Sequence, residues 1–342
     1  MVLGCMASAP SSLIYIDDDL PGISRKRSGK GWSYYDAKGE LIRNRAERER
    51  LNAIALPPAY TDAWFCPAEN GHILATGIDA KGRKQYRYHP QFRTMREGEK
   101  FDSCAVFGNL LPLVRKRVTE DLRARKLSRE KTISGVVRLL DLGVVRVGNE
   151  AYSQSNKSFG ATTLRKRHAM VSGNSLRLIY KGKAGKDREV SLTDKHLAQF
   201  VRKMQDLPGQ KLFQYVDEDG ECQNVGSSDV NVYIAEAMGE HFTAKAFRTW
   251  HASVLAFTIL AESSEILTLK ALLEEVAEKL GNTPAVTRKS YIHPAIIDLI
   301  GTQEKWRESL QLLRSTSYLS RQERGLIDLL EKSPPAQQLL AA

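Results

Sequence analysis

The residues of this 342-residue chain that could do chemistry are mostly cationic, and one stretch concentrates them. Residues 161–188 contain eight Lys or Arg side chains and a single acid, Asp187. Solvated surfaces normally mix charges of both signs, so this stretch favours a phosphate-neutralising surface over a generic basic one. Binding of a polyanion to it should weaken steeply with salt. The eight cations are Arg165, Lys166, Arg167, Arg177, Lys181, Lys183, Lys186 and Arg188.

Several other kinds of catalytic site find no support in the sequence. Each Gly-Lys pair is followed by Gly, Ala or Asp, so a GxxxxGK[ST] nucleotide loop is missing. The seven histidines are widely separated and form no HExxH motif, which argues against a zinc hydrolase. Asp17, Asp18 and Asp19 are adjacent, and a strand would split them across two faces, so we expect a solvated acidic turn there. The four cysteines form no CxxC pair, as is usual in a reducing compartment.

A chain with cations but without these sites can still cut a phosphodiester. It needs a side-chain nucleophile, cations for the phosphate oxygens and an acid for the leaving oxygen. Among hydroxyl nucleophiles, tyrosine suits reversible chemistry because a phenolate leaves more easily than an alkoxide. A DNA hydroxyl can then reverse the bond to phosphorus.

The overall charge points to the same kind of partner. Lys and Arg number 51 against 40 acids, which gives a formal net charge of +11 and a pI near 9.4. Nucleic acid is therefore the first partner to expect. No apolar run approaches the roughly 20 residues of a membrane span, and no secretory signal precedes the chain's first strands. We expect residues 1–12 to form a loose leader.

Hydropathy patterning and turn residues predict two regions that differ in secondary structure, which suits two domains. Residues 13–92 are strand-rich, whereas the chain from about residue 101 has helical periodicity interrupted by one hairpin. The predicted strands are 73–78, 83–88, 176–180 and 188–192. The predicted helices are 45–54, 130–145, 243–262, 264–280 and 285–299, one that starts at Thr193 with Asp194 in its first turn, and an amphipathic tail over 302–330.

Five short segments carry the remaining signal. They are GRKQYRYHP at 82–90, VRVGNEAY at 145–152, YKGK at 180–183, FTAKAFRTW at 242–250 and GNTPAVTRKSYI at 281–292. In this order they resemble the motifs of type IB DNA topoisomerases, most closely the short bacterial and poxvirus-like branch. The likeness runs from about residue 16 to residue 294. One segment alone would be a weak signal, but five in the family's order are specific.

The resemblance implies roles for five residues. Tyr291 would attack phosphorus and form a 3′-phosphotyrosyl bond. Arg146 and Arg248 would donate charge-assisted hydrogen bonds to the non-bridging oxygens, and Lys183 would protonate the departing 5′ oxygen. Asn282, nine residues before the tyrosine, would donate its amide to a phosphate oxygen. Better-known members carry His at that position, and an amide can stabilise charge but cannot transfer a proton.

Each of these residues also has an ordinary structural interpretation. Lys181 and Lys186 match Lys183 on composition, so that choice rests on the resemblance alone. Asn282 could cap the following helix, although both interpretations hold if Thr283 is the cap. The tyrosine of the last segment could be a half-buried helical side chain, and each arginine could be an ordinary ion-paired one.

The resemblance further implies contacts to duplex DNA outside the catalytic residues. Tyr86 and Tyr88 would share one face of a strand, so both would pack in a core or both would face DNA. The expected DNA-contacting residues are Arg83, Gln85, Tyr86, Tyr88, Tyr152 and Lys245.

The fold class implied is α+β, with a small antiparallel β-rich N-terminal domain and a larger, mainly α-helical catalytic domain that contains a small β-hairpin sheet. The expected divisions are a leader at 1–12, a DNA-clamp domain at 13–98, a catalytic domain at 99–314 and a helical tail at 315–342. The two domains would close around duplex DNA as a C-shaped clamp, and cleavage, strand rotation and religation would relax supercoils without ATP, metal or another cofactor. A monomer in the cytoplasm, associated with the nucleoid and not with a membrane, is expected.

Two alternatives stay open at this point. Tyrosine recombinases share this chemistry, but they usually have a His-x-x-Arg box where this chain has Lys245 and Arg248, and usually a helical N-terminal domain. A non-enzymatic DNA-binding protein would explain the charge but not the tyrosine segment with its ordered arginines.

Overall fold

The computed structural model describes residues 13–341, apart from the side chain of Tyr152. The expected leader at 1–12 lies outside the described residues. The chain divides between Glu99 and Lys100 into two compact units. A β-rich first unit and a mainly helical second unit confirm the α+β class.

The first unit is built on a five-stranded antiparallel sheet in the order β2-β1-β3-β4-β5. Alternating side chains from this sheet and from one helix enclose a small core that includes Tyr34, Leu51 and Phe65. The helix begins after Asn44, whose side chain accepts a hydrogen bond from the backbone of Glu47. The predicted helix and hairpin of this region are both confirmed. The elements are β1 (Ile23–Ser28), β2 (Gly31–Tyr35), α1 (Arg45–Ala53), β3 (Thr61–Phe65), β4 (Ile73–Ile78) and β5 (Lys84–Tyr88).

Helices dominate the second unit. The sequence predicts helical structure from about residue 101, but the long helix α2 begins at Pro90. Proline is well suited to a first helical turn, which explains the earlier start. The division between the units therefore falls within α2. The helices of this part are α2 (Pro90–Arg123), α3 (Arg129–Gly143), α4 (Glu150–Asn156), α5 (Lys195–Asp206), α6 (Ser227–Met238), α7 (Ala244–Glu262) and α8 (Leu269–Leu280).

A three-stranded antiparallel sheet interrupts these helices, in the order β6-β7-β8. Leu176, Leu178 and Tyr180 alternate with exposed residues along β7, so one face of the sheet joins the core. The predicted hairpin is confirmed. The sequence predicts that the helix after this sheet starts at Thr193. Thr193 instead ends β8, Asp194 is the helix cap, and the helix starts at Lys195. The strands are β6 (Ala169–Ser172), β7 (Ser175–Lys181), β8 (Asp187–Thr193), β9 (Gln214–Val216) and β10 (Cys222–Asn224), the last two forming a separate pair.

The prediction of one helix over 285–299 is wrong. Helix α9 (Pro284–Ser290) ends at Tyr291, and α10 (Pro294–Asp298) starts three residues later. The reason is local: His293 precedes a proline, and the residue before a proline is disfavoured from helical conformation. The break places Tyr291 at a helix end rather than on a helix face.

The carboxyl-terminal tail is likewise not one helix. Helix α11 (Gln303–Ser309) is followed by an irregular segment, and α12 (Arg321–Lys332) starts with a reciprocal cap between Ser320 and Glu323. A last helix, α13 (Ala336–Ala341), follows the Pro-Pro pair. Leu326 of α12 is fully buried, so the tail packs as part of the second unit. Across residues 13–341, none of the helices combines the length and apolar character that a membrane crossing requires.

Candidate active site

Arg248 is the most deeply buried cation of the candidate site, with 4% of its surface exposed. Its Nη1 donates to the carbonyl of Val144 (2.6 Å), and its Nη2 donates to the carbonyl of Leu280 (3.0 Å). These carbonyls lie at the ends of α3 and α8, where carbonyls lack partners within the helix and carry partial negative charge. Two helix ends thus hold one guanidinium in place.

Tyr291 lies directly beside this arginine. The Cζ atom of Arg248 is 5.0 Å from the centre of the tyrosine ring. Burial alone would raise the pKa of the phenol, but the charge and hydrogen bond of Arg248, with the charges of Arg146 and Lys245, outweigh burial and leave this pKa below its ordinary value of 10.0. A lowered pKa increases the phenolate fraction at neutral pH, which suits a nucleophile.

The backbone around Tyr291 is also fixed. Its N–H donates to the carbonyl of Thr287 (3.0 Å), and its own carbonyl accepts from the hydroxyl of Ser253 (3.3 Å). The same hydroxyl accepts from the N–H of His293 (3.0 Å), so α7 holds both sides of the helix break. The break between α9 and α10 is therefore ordered, and it fixes the backbone position of Tyr291.

Arg146 and Asn282 form a second pair. The Nη2 of Arg146 donates to the Oδ1 of Asn282 (2.5 Å). The Nδ2 of this amide is buried and has no hydrogen-bond partner among the described residues, so it can donate to an added oxygen. Thr283, not Asn282, caps α9 by accepting from the N–H of Val286, which is the arrangement in which the amide of Asn282 stays available.

Lys183 occupies an exposed turn between β7 and β8, as predicted. The turn is closed by the N–H of Gly182 donating to the carbonyl of Lys186 (2.7 Å). One of the two alternatives to Lys183 is already engaged: Lys181, the last residue of β7, is ion-paired with Asp187 at 2.7 Å. The structure places Lys183 on this turn but shows no contact between it and the tyrosine.

The first unit presents the predicted aromatic pair on an open face. Tyr86 and Tyr88 stack with ring centres 5.7 Å apart and planes 9° apart, and they are 41% and 39% exposed. They share one face of β5, as alternation predicts, and that face is not core. Gln85 and Arg83 both bind the carboxylate of Asp79 (3.0 and 2.6 Å), so this acid orders them.

The two remaining predicted contacts lie in the second unit. Lys245 is exposed in the first turn of α7, three residues before Arg248, and its charge acts on the Tyr291 phenol. Tyr152 lies in α4, and its side chain is outside the described part of the chain. Of the predicted acidic turn, Asp18 and Asp19 contact Lys84 (2.8 and 3.4 Å).

Sequence reasoning missed a buried ion network that joins helices α2, α3 and α7 to the tail. Arg115 of α2 makes two contacts with Asp141 of α3 (both 2.9 Å) and two with Glu323 of α12 (2.7 and 3.0 Å). His251 of α7 contacts the same aspartate at 3.0 Å. Because α3 precedes Arg146 and α7 carries Arg248, the network fixes the elements from which both arginines extend.

Comparison with known protein families gives two matches. Residues 89–315 match the family described as eukaryotic DNA topoisomerase I, catalytic core. Residues 31–79 match the family described as bacterial DNA topoisomerase IB, N-terminal domain. The two matches follow one another along the chain and fall largely in the second and first units, respectively.

Similar whole proteins carry corresponding names. DNA topoisomerase 1B of Acanthamoeba polyphaga mimivirus is 32% identical over 294 residues, which cover 82% of this chain and 88% of that protein. DNA topoisomerase 1B of Vaccinia virus (strain Copenhagen) is 20% identical over 234 residues, covering 67% and 72%. DNA topoisomerase 1 of Mycosarcoma maydis is 26% identical over 223 residues, which cover 58% of this chain and 20% of that larger protein.

Proposed function

The chain belongs to the type IB DNA topoisomerases, and we propose that Tyr291 is the nucleophile with which it cleaves one strand of duplex DNA. The recombinase and binding-protein alternatives are not favoured by these relationships. The observation that supports the nucleophile is the placement of its phenol against the buried guanidinium of Arg248, with Arg146 and Lys245 also lowering the phenol pKa.

In the proposed cleavage step, the phenolic oxygen of Tyr291 bonds to phosphorus and its proton leaves to water. The bond from phosphorus to the 5′ oxygen breaks, and Lys183 protonates that oxygen as it departs. Religation is the reverse: the 5′ hydroxyl attacks phosphorus and returns its proton to Lys183, and the phenolate leaves and takes up a proton from water. The phosphotyrosyl bond conserves the energy of the phosphodiester, so the cycle needs no ATP.

The cations and the amide stabilise the charge on the phosphate during transfer. Arg146 and Arg248 would donate to the non-bridging oxygens, and the free amide hydrogens of Asn282 would donate to a third position around the phosphate. Donors that are already fixed need little reorganisation when the charge develops. Arg146 fixes the amide oxygen, so the donor end of Asn282 is the end left for the phosphate.

Outside the catalytic residues, we propose that Tyr86, Tyr88 and Gln85 contact DNA from the first unit, together with Arg83. Lys245 and Tyr152 would contact the backbone near the cut. Exposed stacked rings beside basic residues are typical of nucleic-acid contacts. The proposed organisation is the one expected from the sequence, a 13–98 clamp domain and a 99–314 catalytic domain, in a monomer associated with the nucleoid.

The test is relaxation of negatively supercoiled plasmid in EDTA without ATP, comparing the wild type with Tyr291→Phe. Tyr318→Phe is the matched control, because it removes one phenol from the same unit but leaves the backbone carbonyl that Arg115 contacts. We expect relaxation and a 3′-phosphotyrosyl adduct from the wild type and the control, and neither from Tyr291→Phe. Salt-sensitive DNA binding should persist in Tyr291→Phe.

Relaxation by Tyr291→Phe at the wild-type rate would exclude this tyrosine as the nucleophile. Loss of DNA binding together with cleavage would instead show that the side chain is structural.

A further inference from the structure

Arg188 is a charged residue on the inward face of the β6-β7-β8 sheet. It lies directly opposite Tyr180 in the antiparallel register, and residues opposite one another share a face. Farther along this face come the buried pair Leu178 and Val190. Arg188 therefore extends inward at the end of the hairpin that carries the turn with Lys183.

The guanidinium of Arg188 reaches the end of α8. Its Nη2 donates to the carbonyl of Lys279 (2.9 Å), one of the carbonyls that a helix end leaves without a partner. The guanidinium also lies over Gly281, where an added Cβ would come 2.2 Å from Nη1. Gly281 has φ +64°, so glycine is favoured there both by the backbone and by the arginine above it.

The stem of the same side chain lies over the catalytic turn. A Cβ added at Gly182, the residue before Lys183, would come 2.8 Å from Cγ of Arg188. The backbone of Gly182 is extended, so this close approach, and not φ, restricts the position. One side chain thus contacts both the turn before Lys183 and the segment before Asn282.

We propose that Arg188 is a positioning residue that ties the Lys183 turn to the end of α8 and so aims Lys183 at the leaving oxygen. This inference rests on the proposed role of Lys183 as the general acid. The turn has little else to hold it, since residues 183–187 are all exposed. Without the guanidinium, the turn would keep its own hydrogen bonds but lose its connection to α8.

A substrate with sulfur in place of the bridging 5′ oxygen separates positioning from other roles. A thiolate leaves without being protonated, so the general acid is not needed for that substrate. A defect that arises through Lys183 should therefore appear with oxygen and largely vanish with sulfur. A defect in folding or in phosphate binding should appear with both.

The experiment measures single-turnover formation of the covalent adduct on two duplexes of one sequence, chosen from cleavage sites mapped on plasmid DNA. The variants are Arg188→Met, which keeps an unbranched stem, and Gly182→Ala, which keeps the arginine but displaces it. Arg202→Met is the matched control, because Arg202 of α5 donates to the carbonyl of Gly173 (3.1 Å), in the turn at the opposite end of the same sheet. Lys183→Ala reports on the proposed general acid itself.

For Arg188→Met, we expect adduct formation with the oxygen substrate to slow on the order of 10- to 100-fold, the usual effect of a misplaced catalytic group. The sulfur substrate should react at close to the wild-type rate. Gly182→Ala should show the same pattern more weakly, and Arg202→Met should match the wild type on both substrates.

Equal slowing on both substrates, or a wild-type rate with oxygen, would overturn the positioning role of Arg188. If Arg188→Met does not fold, Gly182→Ala carries the same comparison with the guanidinium still present. Failure of the underlying proposal looks different: Lys183→Ala would then be unaffected with oxygen or would not recover with sulfur.

Discussion

Replacing Glu323 by glutamine should destabilise the second unit although the residue lies far along the chain from every proposed catalytic group. The carboxylate accepts two hydrogen bonds from Arg115 (2.7 and 3.0 Å), one from the backbone N–H of Ser320 (2.8 Å) and one from the indole of Trp250 (3.3 Å). Glutamine keeps the shape of the side chain, and its oxygen can still accept from the N–H of Ser320. It loses the charge, and its amide NH2 group faces donors where the second carboxylate oxygen accepted.

The size of this loss in unfolding free energy depends on the contacts that Arg115 keeps in the variant. Breaking a buried ion pair outright typically costs about 3–5 kcal/mol because the remaining charge is left without a partner. Here Arg115 keeps two contacts with Asp141, so we expect a smaller loss of about 2–3 kcal/mol. For a unit of this size that corresponds to a fall in Tm of roughly 5–10 °C.

The loss should also depend on pH in a defined direction. Burial raises the pKa of Glu323, but the hydrogen bonds and charge of Arg115 outweigh it, and the pKa in the folded state lies below 4.5. The stabilising contribution is therefore fully present above pH 4.5 and is lost as pH falls through the folded-state value. The difference between wild type and Glu323→Gln should be largest at neutral pH and shrink in acid.

Urea denaturation at a series of pH values measures this difference, with Glu331→Gln as the control. Glu331 is exposed on the same helix and accepts one hydrogen bond from Asn109 (2.8 Å), so its loss should stay within about 0.5 kcal/mol. A Glu323→Gln effect no larger than that of the control, or one that grows in acid, would refute the reasoning.

Two further substitutions test the site and the tail. Asn282→His adds a group that titrates near pH 6.5, so the single-turnover cleavage rate of this variant should change with pH in that range. The same pH dependence in the wild type would contradict the amide role of Asn282. Leu326→Ala removes a fully buried side chain of α12 and should lower the free energy of unfolding by about 2–5 kcal/mol. A urea midpoint unchanged by Leu326→Ala would show that α12 is not part of the folded core.

Local signals account for most of what could be predicted. Turn residues and alternation located both hairpins, because the strands of a hairpin are close in sequence. The break after α9 was missed although its signal was local too: a proline follows His293, and the residue before a proline seldom stays helical. Periodicity alone joined two short helices into one and hid the position of Tyr291 at a helix end.

The contacts that organise the site are not local, and single-sequence patterns do not contain them. Arg188 contacts Lys279 across 91 positions, and Arg115 contacts Glu323 across 208. Each of these residues is an ordinary cation or acid when seen in sequence. The motif residues were recognisable because a family resemblance supplied their order, but their partners depend on how the helices pack.

The burial of Arg248 links stability to reactivity at this site. Removing a guanidinium from water is unfavourable, and here the carbonyls of Val144 and Leu280 at two helix ends offset that cost. The same desolvation strengthens the field of the charge at the neighbouring phenol of Tyr291, because little water screens it.

Arginine suits both demands: each amino group keeps a second hydrogen for the phosphate, and the Nε of Arg248 has no partner among the described residues. A lysine ammonium carries its three donors on one nitrogen, whereas the guanidinium spreads five donors over three nitrogens in a fixed plane, so arginine can bind both carbonyls and still present separate donors in another direction. The guanidinium that holds the two helix ends together therefore also supplies the charge that would activate Tyr291, the proposed nucleophile.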